Sequence, residues 1–213
     1  MNRGRFISLE GGEGSGKSTQ ARSIQAFLEE RGIKVVLTRE PGGSPGAELI
    51  RELLVQGEVN RWDPLSEYLL FSASRRDHLL HTIWPSLEKG WWVICDRFYD
   101  SSRAYQGAGG GVDAAFLERV YQKIAGDFLP DLTLIFDLPP EGGLERTQGR
   151  LYGEDRFEKM GFSFHQRVRE GFLAIARQEP ERCKLIHANC SPEEVRAQIY
   201  VCLEERFFCR THP

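Results

Sequence analysis

Gly11-Gly12-Glu13-Gly14-Ser15-Gly16-Lys17-Ser18-Thr19 is the stretch that organises the rest of the chain. It satisfies the pattern G-x-x-x-x-G-K-[ST], with an apolar run before it and a helix-compatible run after it. The glycines let backbone N–H groups turn inward around phosphate oxygens, where side chains would obstruct them. The following helix adds its positive N-terminal end. Lys17 reaches the β- and γ-phosphates of a bound ATP, and the Ser18 hydroxyl suits Mg²⁺. The loop alone does not separate an ATPase from a GTPase or a kinase.

Working outward, the runs Arg5–Glu10, Ile33–Arg39, Trp91–Asp96, Leu132–Asp137 and Lys184–Ala188 are apolar without strict alternation. They read as parallel strands buried on both faces. Lys17–Glu30 places Ala21, Ile24 and Leu28 on one helix face and stops near Gly32. Asp63-Pro64 is an N-cap and first-turn pair for a helix running toward Glu88, which Pro85 should kink or end early. Further helices are expected over Ala47–Gln56, Ala114–Ala125, Gly142–Thr147, Ser163–Gln178 and Pro192–Phe207. Strand and helix in alternation predict an α/β, three-layer P-loop NTPase fold with a five-stranded parallel sheet flanked by helices. No repeat or linker splits the chain, so residues 1–213 read as one domain.

A chain of 213 residues, 40% hydrophobic, can bury a substantial core. Its net charge of -3 gives no electrostatic case for nucleic acid or membrane as a partner, while local arginines still suit small anions. Five cysteines, odd in number and without paired metal-ligand spacing, fit reduced thiols in a cytoplasmic protein. The apolar run before the glycines is too short for a signal peptide or a membrane span. His78 and His81 are expected as ordinary helix-face residues, and Gly107, Gly109, Gly110 and Gly111 as a flexible loop.

Asp96 ends a buried strand, where a carboxylate faces the nucleotide crevice and can hold Mg²⁺ through water. Asp137 ends another strand and competes for that role, but Asp96 has Arg97 beside it, a cation able to bridge two phosphates. No Asn-Lys-x-Asp or Asp-x-x-Gly segment supports a GTPase. Arginines at 39, 75, 76, 97, 146, 150 and 156 suit two polyanionic substrates meeting in one crevice.

Four segments then carry a resemblance: Thr38-Arg39-Glu40-Pro41-Gly42-Gly43, Phe71-Ser72-Ala73-Ser74-Arg75, Asp96-Arg97-Phe98, and Ser101-Ser102-Arg103-Ala104-Tyr105-Gln106-Gly107. In this order and approximate spacing they resemble thymidylate kinases, from about Arg5 to the helix after Ser163. The resemblance implies transfer of the ATP γ-phosphoryl group to dTMP, with Mg²⁺, by a homodimeric enzyme. It further implies that Arg39, Arg97 and Ser101 serve the acceptor nucleotide, that Phe71 stacks on thymine, and that Arg75 donates to a base carbonyl. Tyr105 would crowd the sugar 2′ position, Gln106 would hydrogen-bond near the base, and Glu13 would accept from the 3′-hydroxyl. Arg103 departs from the small or apolar residue usual there; it either adds a phosphate contact or points outward.

Residues 146–158 resemble the family's mobile lid. The phosphate loop's variable positions contain no arginine, so this chain resembles the type that supplies it from the lid. Arg150 is the first candidate for the transition-state arginine, with Arg146 and Arg156 as alternatives for that role and as ATP contacts. The rivals are a kinase for another acceptor, a P-loop ATPase and a non-enzymatic nucleotide-binding module. Arg39 with Tyr105-Gln106 argues against the first, the lack of a water-orienting residue against the second, and Lys17 with Asp96 against the third. One methyl in an apolar pocket is worth only about 1–3 kcal/mol. Deoxyuridylate is therefore expected to be turned over more slowly than dTMP but measurably, as followed by ADP formation.

Overall fold

The computed structural model describes residues 3–147 and 156–209. Its middle layer is a parallel sheet of β1 (Phe6–Gly11), β2 (Val35–Arg39), β3 (Trp92–Asp96), β4 (Leu132–Asp137) and β5 (Cys183–His187), ordered β2-β3-β1-β4-β5. All of β1 is buried, as a central strand covered on both faces must be. The register sets Asp96 opposite both Leu9 and Arg39, so β1, β2 and β3 end at one level. After β1 the chain goes to one side for β2 and β3, then crosses to the other for β4 and β5. The crevice at such a reversal is where ligands bind in open α/β sheets.

The helices are, in chain order, α1 (Lys17–Glu29), α2 (Pro45–Val55), α3 (Pro64–His78), α4 (Trp84–Glu88), α5 (Tyr99–Ser102), α6 (Ala114–Ala125), α7 (Pro140–Thr147), α8 (Phe162–Gln178) and α9 (Pro192–Leu203). On one sheet face, Ile24 and Leu28 of α1 and Ile199 of α9 close over Ile7, Leu9 and Leu134. On the other, Leu79 and Ile83 with α4 and α6 pack around Phe6, Val93 and Phe98, and α8 around Ile135. Three helices begin under side-chain caps, from Asp63, Asp113 and Ser191. α1 does not: its N-cap is Gly16, with φ of 89°, and no side chain bonds to its first turn. An uncapped N-terminus leaves amide donors for an anion.

The helix expected from Pro64 to Glu88 is broken into α3, a wide turn over Leu79–Ile83, and α4. Pro85 has no N–H to give the preceding turn, and the amide of Trp84 reaches back five residues to the Leu79 carbonyl. The last expected helix also ends early, at Leu203. A second wide turn, Glu204–Phe208, sets Phe207 and Phe208 against Trp92 with ring centroids 4.8 and 6.0 Å away.

The glycine cluster is where the structure departs from the expected flexible loop. α5 continues into a wide helical turn, Arg103–Gly109, that lies against α8. A Cβ on Gly109 would stand 2.7 Å from the Phe164 ring and 2.9 Å from Val168, and one on Gly171 would stand 2.8 Å from Ala108. Close approach to α8 explains Gly109, Leu117 and Pro64 crowd Gly107 and Gly110, and Gly111 alone has open space and a positive φ of 77°. Among the described residues, no helix is long and apolar enough to cross a membrane. Gly109→Val is expected to destabilise by about 1–3 kcal/mol through overpacking, seen as a lower Tm by circular dichroism.

Candidate active site

A cavity of about 380 Å³ opens at the C-terminal ends of β1, β2 and β3. Its wall brings together Glu13 through Thr19 with Arg39, Phe71, Arg75, Asp96, Arg97, Ser101, Tyr105 and Gln106. Segments far apart in the chain thus share one chamber. Gly11, Gly12 and Arg146 lie outside its lining.

At the phosphate loop, Lys17 Nζ donates to the Gly12 carbonyl at 2.8 Å, the Gly11 carbonyl at 3.2 Å and Ser15 Oγ at 3.2 Å. Burial, reinforced by the neighbouring Arg97 cation, lowers the Lys17 pKa to about 8, against the pull of Asp96, Glu13 and Glu10. Ser18 Oγ donates to Asp96 Oδ2 at 2.7 Å. Asp137, the competing strand-end carboxylate, is held by both ends of the Arg169 guanidinium, at 2.6 and 3.0 Å. Its oxygens are occupied within the protein.

Arg97 joins the loop to the helix beyond β3. Nη1 donates to the Gly11 carbonyl at 2.8 Å and Ser101 Oγ at 3.2 Å; Nη2 donates to Glu13 Oε1 at 2.8 Å and Tyr105 Oη at 3.0 Å. The Tyr105 hydroxyl donates to the same Glu13 oxygen at 2.8 Å. Burial alone would raise the Glu13 pKa, but Arg97 and Lys17 outweigh it and hold the value at about 2. Beneath them lies Glu10, fully buried, accepting from the Phe98 amide at 2.8 Å and Ser101 Oγ at 2.6 Å. Burial, with Asp100 nearby, raises its pKa to about 8. Glu10 was not among the expected site residues, although a carboxylate inside an otherwise apolar buried strand is a signal that could have found it.

The opposite wall carries the aromatic and amide groups. Arg75 is buried on α3; its Nε donates to Glu40 Oε2 at 2.7 Å, and its Nη2 to the Phe98 carbonyl and Ser102 Oγ, both at 3.1 Å. Nη1 has no hydrogen-bond partner among the described residues. Behind Glu40, His78 Nδ1 lies 3.2 Å from its second oxygen and Thr38 Oγ1 2.6 Å from His78 Nε2. His78 is therefore a buried bridge and not a plain helix-face residue, while His81 sits exposed beside Asp77. Phe71 faces Phe157, with centroids 6.1 Å apart.

With this geometry in view, a family model described as thymidylate kinase matches residues 9–199. The thymidylate kinase of Caulobacter vibrioides is 53% identical over 199 residues, covering 93% of this chain and 95% of that protein. That of Magnetococcus marinus is 50% identical, covering 96% and 98%. The crystal structure of thymidylate kinase from Ehrlichia chaffeensis superposes with a TM-score of 0.78 at 36% identity, over 94% of this chain and 99% of that one.

The chain belongs to the thymidylate kinase family. Several residues expected at the ligands of such a kinase are engaged by protein groups. Arg156 is fully buried, donating to the carbonyls of Leu54, Glu58 and Val59 and to Glu67 Oε2 at 2.5 Å. Fully buried and outside the cavity lining, it is placed with Glu67 and not at the ATP contact expected for it. Arg103 neither meets the cavity nor points freely outward, since it pairs with Asp100 at 3.0 Å and Glu179 at 2.5 Å. Gln106 gives its amide nitrogen to Glu67 Oε1 at 2.7 Å, so its oxygen is the end turned away from Glu67. Arg39 stays half-exposed with Glu48 at 3.2 Å. Arg146 donates to the Ala188 carbonyl at 3.4 Å. Arg150 lies outside the described residues.

Thymidylate kinases are ATP-dependent and typically use Mg²⁺. The paired oxygens of Ser18 and Asp96 suit this hard cation. Among the described residues no cluster of three or more His, Cys, Asp or Glu side chains forms a metal cage. Because Lys17 is charged at neutral pH despite its lowered pKa, it costs the ligand-free fold stability below about pH 8. That cost fades as pH rises from there toward the ordinary lysine value. Lys17→Met is expected to leave the ligand-free Tm at pH 7 unchanged or raised while lowering kcat by about 10²–10³. Thermal unfolding and coupled ADP detection read the two effects separately.

Proposed function

We propose that this protein transfers the γ-phosphoryl group of ATP to dTMP, giving dTDP and ADP. The observation that carries this reading is one cavity holding both a phosphate loop and a base-sized pocket of Phe71, Arg75 and Gln106, with Arg97 and Tyr105 between them. The acceptor's nucleophile is already an anionic phosphate oxygen, so the protein needs no strong general base. Its task is alignment and charge neutralisation.

In this reading the amides from Gly11 to Thr19 cradle the ATP phosphates and Lys17 swings from its loop carbonyls to the β- and γ-oxygens. Ser18 and Asp96 would hold Mg²⁺, which when bound would neutralise charge on the phosphates. Arg97 exchanges loop contacts for the phosphates on either side of the transfer. Arg39 and Ser101 bind the acceptor phosphate, and Glu13 takes the 3′-hydroxyl while Tyr105 closes the 2′ side. Phe71 stacks on thymine, Arg75 Nη1 donates to its O4, and the Gln106 oxygen accepts from N3–H. Residues 146–158 act as the lid of a single kinase domain and deliver Arg150 to the transferring oxygens, expelling water that would otherwise take the phosphoryl group. The enzyme works in the cytoplasm as a homodimer without nucleic acid or membrane partners. Leu49 and Leu53 of α2 with Leu65 and Leu69 of α3, all exposed, supply an apolar face suited to pairing.

ADP formation from Mg·ATP is expected to be far faster with dTMP than with any other nucleoside monophosphate, and negligible without an acceptor. Equal rates without acceptor would identify an ATPase instead. Arg97→Ala is expected to lower kcat with dTMP by about 10²–10³, measured in the same assay.

A further inference from the structure

Gln106 is 2% exposed and lines the cavity, whereas Glu67, 5% exposed on α3, stands behind it and does not. The two oxygens of Glu67 are divided: Oε1 accepts from Gln106 Nε2 at 2.7 Å, and Oε2 from Arg156 Nη1 at 2.5 Å. A primary amide donates at one end and accepts at the other, while an ionised carboxylate only accepts. With its other oxygen accepting from the fully buried Arg156 guanidinium, Glu67 presents Gln106 with an acceptor. The Gln106 nitrogen must therefore face Glu67, which leaves the carbonyl oxygen for the cavity. In the same cavity Arg75 offers only a donor, Nη1. A donor and an acceptor together complement the O4 and N3–H edge of thymine or uracil. Cytosine presents an amino group and a bare ring nitrogen, the reverse of both.

We propose that Glu67 is a positioning residue for base selection, fixing the Gln106 amide so that the site accepts pyrimidines bearing N3–H and rejects cytosine. This rests on the dTMP reading above. The same carboxylate anchors the segment over the base: Arg156 directly precedes Phe157, whose ring meets Phe71 at 6.1 Å and Tyr105 at 5.7 Å. One buried charge thus sets both the amide's direction and the position of the aromatic that covers it.

The test is steady-state kinetics with dTMP, dUMP and dCMP at saturating Mg·ATP, for the unsubstituted protein and Glu67→Gln. A glutamine at 67 pairs with Gln106 in either orientation, freeing Gln106 to turn its NH₂ toward the base. KM for dTMP and dUMP is expected to rise about tenfold with kcat within about threefold, and the dTMP-to-dCMP ratio of kcat/KM to fall at least about tenfold. General loosening would lower all three substrates alike and leave that ratio in place. Glu67→Gln strands the Arg156 charge, so the double variant Glu67→Gln/Arg156→Met, which removes both charges, is measured beside it with Tm as a check on folding. A dTMP-to-dCMP ratio within twofold of the unsubstituted protein in either folded variant overturns the proposal. An unsubstituted protein with no preference for dTMP over other acceptors overturns the functional reading itself, and this inference with it.

Discussion

The guanidinium of Arg97 holds the cavity together before any ligand arrives, spanning the phosphate loop at Gly11 and Glu13 and the next helix at Ser101 and Tyr105. To reach both, the residue adopts a left-handed backbone with φ of 68°, the only such non-glycine among the described residues. That conformation costs on the order of 1–2 kcal/mol. Its amide donates to the Leu9 carbonyl at 2.9 Å, and the charge-assisted side-chain bonds over-determine the position. Strain retained this way places a cation where phosphate charge must be balanced, with no reorganisation left for the moment of reaction.

Around this centre, the side chains facing the cavity are oriented by carboxylates set behind or beside them. Glu13 takes Arg97 and Tyr105, Glu40 takes Arg75, Glu67 takes Gln106 and Arg156, and Glu10 takes Ser101. A buried ion pair is weak as a source of stability, because desolvation offsets most of the attraction. It is effective as a source of direction, because each guanidinium or amide has one orientation that leaves no buried charge unpaired. Arg75 illustrates the result: Nε and Nη2 are bound to protein while Nη1 remains for a ligand.

Much of the fold was legible because it follows from local chemistry. The five strands came from unbroken apolar runs, whose ends agree with the structure to within two residues. Asp63 caps α3 and Pro64 opens it, as their types require. The glycines from 107 to 111 misled, because glycine is used both where a backbone must turn freely and where two backbones must touch. Only the neighbours that the fold packs against each glycine, such as α8 against Gly109, separate the two uses. Pro85 signalled a break, but the wide turn by which the helix absorbs it depends on packing.

The site divides the same way. That Lys17, Ser18, Asp96 and Arg97 belong to phosphate chemistry was written in the order of residue types along a strand, a loop and a helix, since such a motif works through its own backbone. Where Arg103 and Arg156 point was not. An arginine's long side chain finds whichever carboxylate or carbonyl the fold brings near, and those partners lie 76 and 89 residues away in the chain for Glu179 and Glu67. The sequence by itself determined the parallel sheet, the phosphate loop and the chemistry available to them. Only the tertiary structure decided which charges face the substrates and which face each other, because the pairing of buried ions is set by proximity in space.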